Sequence, residues 1–279
     1  MIQEGKLEVV DRVEAHDGAV VEIVQYPLLR GSADIRVARD LYYANQSGMR
    51  LKMVRIALAD SRARVEPGAL YFMKGNLQIK SSTGGGVLKG IARKMVSGET
   101  FFVPEIHGTG QIYLEPTFGH FFLHRIEEKE RGVIVDKGLF YAGIGALDIS
   151  AAAQKNISAS LFGGEGMFQT RIAGSGVAVL YSPVPQEEVQ RFTLRQEKLS
   201  VDGNFALMRS DTVDFRAERS GGMLTTATSG EGLLQTFTGT GYVWLAPTQG
   251  IYEKLTSPAG LRALAVPPGA SHTQTDSST

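Results

Sequence analysis

Gly98-Glu-Thr-Phe-Phe-Val-Pro-Glu-Ile-His-Gly-Thr-Gly-Gln-Ile-Tyr-Leu-Glu-Pro116 decides the reading of this chain, because its pattern returns twice. The later copies are Gly164-Glu-Gly-Met-Phe-Gln-Thr-Arg-Ile-Ala-Gly-Ser-Gly-Val-Ala-Val-Leu-Tyr-Ser-Pro183 and Gly230-Glu-Gly-Leu-Leu-Gln-Thr-Phe-Thr-Gly-Thr-Gly-Tyr-Val-Trp-Leu-Ala-Pro247. Each reads Gly-Glu, an apolar run, Gly-(Ser/Thr)-Gly, a second apolar run and Pro. The Gly-x-Gly pairs are Gly108/Gly110, Gly174/Gly176 and Gly239/Gly241, spaced 66 and 65 residues apart. A long pattern at one period marks tandem copies of a structural unit.

A second block precedes each copy. It reads Val65-Glu-Pro-Gly-Ala-Leu-Tyr-Phe-Met73, then Val135-Asp-Lys-Gly-Leu-Phe-Tyr-Ala-Gly143, then Val201-Asp-Gly-Asn-Phe-Ala-Leu-Met208. Glycine-rich joints follow at Gly84-Gly-Gly86, Gly163-Gly164 and Gly221-Gly222. The runs are rich in Val, Ile, Leu, Phe and Tyr, which suits pleated, half-buried strands. In this reading the six glycines Gly108, Gly110, Gly174, Gly176, Gly239 and Gly241 are hairpin turns, where positive φ is needed. Pro116, Pro183 and Pro247 end strands, where a missing N–H does no harm.

The expected fold is all-β, with three tandem β-sandwich or jelly-roll-like repeats around a pseudo-threefold axis. A unit of this size buries too little surface alone, so the copies share one compact domain. The expected divisions are an N-terminal extension with an edge strand (1–36), repeat 1 (37–116), repeat 2 (117–183) and repeat 3 (184–257). A largely disordered, polar tail (258–279) follows. Val20–Tyr26 alternates as a strand and is expected to dock on a sheet edge. Gln186–Gln196 is the best helical candidate, with a charged strand as the equal alternative. Residues 119–128 allow a strand.

Composition narrows function by exclusion. The 279 residues carry 29 basic and 29 acidic side chains, so the chain lacks the basic excess of a dedicated nucleic-acid binder. There is no cysteine, which removes disulfides, thiolate nucleophiles and cysteine-held metal clusters. No apolar run reaches transmembrane length, and the N-terminus lacks the pattern of a signal peptide. Cytoplasmic residence is the expectation.

The repeat resembles the altered-inheritance-of-mitochondria protein 24 family. The likeness rests on Gly230–Pro247 and on Gly68-Ala-Leu-Tyr-Phe-Met-Lys-Gly-Asn76, and covers roughly residues 37–255. It implies a fold similar to tryptophan RNA-binding attenuation protein, in three structural repeats, and it brings no catalytic residues.

Few constellations offer chemistry. Glu99, Glu165 and Glu231 recur at 66-residue spacing and form a carboxylate ring if the pseudo-threefold holds, a candidate site for a hard cation. The competing reading is a turn carboxylate accepting local N–H bonds. His120 and His124 fall on one face of a strand and are a candidate metal pair without an evident third ligand. No serine-hydrolase elbow, dinucleotide fingerprint or phosphate loop is present. Residues 75–80 and 89–94 make a modest basic cluster. The expectation is a non-enzymatic scaffold or interaction protein without cofactor, forming a homo-oligomer or taking a protein partner. A small-ligand or nucleic-acid binding module is the alternative, with a metal-dependent jelly-roll enzyme behind it.

Overall fold

The computed structural model describes residues 7–31, 33–80, 103–152, 169–219 and 233–265. Over these the chain is predominantly β, and its thirteen strands join one antiparallel sheet.

β1 (Glu8–Glu14) and β2 (Val20–Gln25) form a hairpin, and β2 pairs onward with β3 (Lys52–Val65). β4 (Leu70–Lys80) and β3 flank β5 (Glu105–Leu114), which carries the first Gly-x-Gly. β6 (His120–Ile126) and β7 (Val133–Val135) lie along one side of β9 (Gln169–Ser182), with β8 (Phe140–Ala152) on the other. β10 (Gln190–Asp202) flanks β13 (Leu233–Leu245) opposite β11 (Ala206–Ser210) and β12 (Val213–Arg219). Two further pairings join these sets, β3 to β8 and β7 to β11.

The core follows the strands. Val21, Val54, Ile56, Ile112, Leu114, Val177 and Val179 are buried in one cluster that links the first and second Gly-x-Gly strands. Phe140, Ile126, Ile172, Leu180 and Met208 form a second cluster, and Leu194, Val201, Phe237 and Val243 a third. β9 is buried on both faces from Val177 to Leu180, which is why its apolar run there is unbroken rather than alternating.

The Gly-x-Gly pairs are not turns. Gly108 and Gly110 lie inside β5, Gly174 and Gly176 inside β9, and Gly239 and Gly241 inside β13. Glycine is required there by the approach of the neighbouring strand. A Cβ on Gly108 would stand 2.1 Å from the Asn76 carbonyl oxygen, and one on Gly176 2.2 Å from that of Ile144. Gly108 also has φ +123°, outside the range that other residues adopt readily. Two apolar runs around a glycine pair therefore belong to one strand.

Helices depart from the expectation too. α1 (Ile35–Gln46) crosses the expected boundary between extension and first repeat; the Asp34 carboxylate accepts from the Arg36 N–H at its start. α2 is Gln249–Leu255 and α3 is Pro258–Ala265. Residues 258–265 are thus helical, while 266–279 lie outside the described residues. The helical candidate near residue 186 is a single 3-10 turn, Gln186–Glu188, followed by β10. β2 docks on the sheet by pairing with β3, and β1 of the same segment lies outside it at the end of the strand order. Among the described residues no helix is long and apolar enough to cross a membrane.

Candidate functional site

His124 has the richest surroundings of the expected site residues. β6 is held by β9, with His120 opposite Ser182 and His124 opposite Ala178. Phe121 and Phe122 point to opposite faces, yet both are buried, so the strand is covered on both sides. Phe121 packs on Tyr141 and Tyr181, whereas Phe122 meets Trp244 edge-on at 6.0 Å between centroids. His124 shares the face of Phe122. Its ring meets Trp244 edge-on at 5.4 Å, and its Nε2 lies 3.1 Å from the Tyr242 hydroxyl. The Arg191 guanidinium covers Tyr242 at 4.4 Å from the ring centroid.

Electrostatics keep the His124 and Tyr242 side chains neutral. Burial, and then the Arg191 charge, pull the His124 pKa down to about 4. Burial pushes Tyr242 up to about 12. Near pH 7 neither group changes charge, so the pair is a neutral hydrogen bond and not a poised acid and base. Its work is to seat β6 against β13, two strands that do not pair directly.

His120 stands apart from that cluster. Burial and the Lys52 charge lower its pKa, against the opposing pull of Glu187 and Glu188. Among the described residues no three His, Asp or Glu side chains are placed to hold a metal ion together. Glu99, Glu165 and Glu231 lie outside the described residues. Residues 75–80 of the basic cluster sit on β4, and residues 89–94 lie outside.

The other interior charges bind strands to one another. The buried Glu22 carboxylate of β2 accepts from Arg12 of β1 at 2.6 Å and pairs with Arg55 of β3 at 2.6 Å. Arg209 of β11 is buried and donates to the Val213 carbonyl at 3.2 Å and to Gln169 at 3.4 Å. Burial lowers its pKa to about 10. Arg171 of β9 reaches Asp211, just after β11, at 2.9 Å. These charges tie neighbouring strands together, although the buried Arg209 Nε makes no hydrogen bond among the described residues.

Surface features were missed by sequence reasoning. Tyr71, Phe72, Met73 and Ile79 of β4 are each 39% exposed or more, a dense apolar set on a strand whose sole pairing among the described residues is to β5. Phe72 stacks on Tyr113 across that pairing at 4.3 Å. The run Leu70-Tyr71-Phe72-Met73 was the available signal: four consecutive apolar residues without alternation. α1 adds exposed Ile35, Tyr42 and Tyr43, with a shallow apolar groove beside Val37, Leu41, Met49 and Phe118.

Fold and interior together define a predominantly β protein on one antiparallel sheet, with charges that brace strands. The sequence pattern of the family described as Mitochondrial biogenesis AIM24 matches residues 18–248, and the chain belongs to that family. An uncharacterised protein of Streptococcus pyogenes serotype M6 is 28% identical over 170 residues. That match covers 60% of this chain and 66% of the relative, just under two thirds of its length. A crystal structure of a Streptococcus pyogenes protein shares the fold with a TM-score of 0.54 and 23% identity, covering 74% of this chain and 94% of that one.

Proposed function

We propose that this chain is a non-enzymatic scaffold or interaction protein that associates with copies of itself. The observation that carries the reading is β4, an exposed strand rich in large apolar side chains. Water-exposed apolar strands with a free edge invite another strand, and natural monomers cover or charge such edges. The interior supports a non-catalytic reading, since His124, Arg209 and Glu22 are each committed to holding strands together. Three copies of one unit, related by a pseudo-threefold axis, supply the scaffold in this account. The support is that each Gly-x-Gly strand has a strand on either side.

Light scattering on the purified chain, with metal analysis of the same sample, tests this. The expected result is a multiple of the 30.1 kDa chain mass without stoichiometric metal. A monomer carrying one metal ion per chain would overturn the proposal.

A further inference from the structure

The two pairings that join the strand sets have the same register. In the first, Ala63, Arg64 and Val65 of β3 face Ile144, Gly143 and Ala142 of β8. In the second, Val133, Ile134 and Val135 of β7 face Ser210, Arg209 and Met208 of β11.

The Gly-x-Gly strands show which residues correspond. Ala63, Val133 and Leu199 face Ile106, Ile172 and Phe237, each two residues before the first glycine of its pair. Phe72, Ala142 and Met208 face Tyr113, Val179 and Trp244, each three residues after the second glycine. By this correspondence β10 carries a third segment of the first kind, Leu199-Ser200-Val201. β4 carries a third segment of the second kind, Phe72-Met73-Lys74.

Neither segment has its joint. Among the described residues β10 pairs with β13 alone and β4 with β5 alone. The described residues thus present one open edge of each kind. Ser200, Phe72, Met73 and Lys74 are exposed. The bulge at Arg195/Glu197 in β10, with Gln196 at φ +59°, does not disqualify that edge. β3 has the same bulge between Leu58 and Ser61, with Asp60 at φ +52°, and still pairs with β8 just beyond it.

We propose that β10 of one copy pairs antiparallel with β4 of a second copy, in the register of the two internal joints. Leu199 then faces Lys74, Ser200 faces Met73, and Val201 faces Phe72. The contact joins two different edges, so it is head-to-tail and propagates until a ring closes or a filament grows. This rests on the self-association reading and specifies its surface.

The chain has no cysteine, which makes directed disulfides clean. Met73→Cys and Ser200→Cys both alter exposed positions. After mild oxidation, a mixture of the two single variants is expected to give a disulfide-linked dimer, while each variant alone stays uncrosslinked. The double variant is expected to give a ladder of covalent oligomers. A double variant that crosslinks only within one chain at every concentration would overturn the proposal, since the edges would then close on themselves. So would a mixture crosslinking no better than its components, with circular dichroism showing both variants folded. If light scattering on that sample still finds an oligomer, this joint is wrong and self-association stands; a monomer removes both.

Discussion

At His124 the sequence invites a metal and the structure supplies a wall of aromatic rings. The pair of imidazoles on one face of β6 was legible from alternate spacing, but their surroundings were not. Trp244 and Tyr242 lie 118 or more residues away in sequence, and nothing local announces that they close over His124. The consequence is measurable as acid sensitivity. With a folded pKa of about 4 against 6.5 for the free group, the folded state binds fewer protons than the unfolded one between those values. The associated stability is fully present above pH 6.5 and is lost as pH falls toward 4, by roughly 3 kcal/mol in total. Denaturation curves across that range should show the loss, and His124→Gln should flatten it. Gly108 gives a second test at this scale. Gly108→Ala forces a Cβ against the Asn76 carbonyl and should cost roughly 2–4 kcal/mol. Gly68→Ala meets open space and strains only φ, so about 1–2 kcal/mol is expected from the same unfolding assay.

The strands of the Gly-x-Gly regions were legible as elements because their apolar, β-branched runs are long. Their continuity was not, since glycine beside apolar runs signals a hairpin more often than a close strand approach. Helix α1 was missed for a different reason. Its signals were present but went unread beside the dominant β-repeat: Ile35, Ala38, Leu41 and Tyr42 recur at helical spacing, with Asp34 as N-cap and Gly48 after its end. The brace at Glu22 makes β1, β2 and β3 one cooperative element. Glu22→Ala would strand the Arg55 charge, which is only 24% exposed, and should cost roughly 3 kcal/mol. Faster hydrogen exchange confined to β1 and β2 would mark the lost brace, whereas exchange unchanged there would show that the hairpin holds by packing alone.

For the whole molecule, the period of 66 and 65 residues was legible at once, and the family followed from it. What the period could not give was which strands join which sets, because that depends on edges far apart in sequence. Among the described residues the joints β3 to β8 and β7 to β11 leave β4 and β10 without a second strand, and those two edges are where a second copy would pair. Association by this route should be reversible and concentration-dependent, with apolar β4 side chains leaving water as it proceeds.

Amide hydrogen exchange across a dilution series measures that directly. The account predicts that Phe72–Lys74 and Leu199–Val201 become more protected together as concentration rises, while the other strands stay unchanged. Equal exchange of both segments at all concentrations, in a sample whose mass does increase, would contradict it.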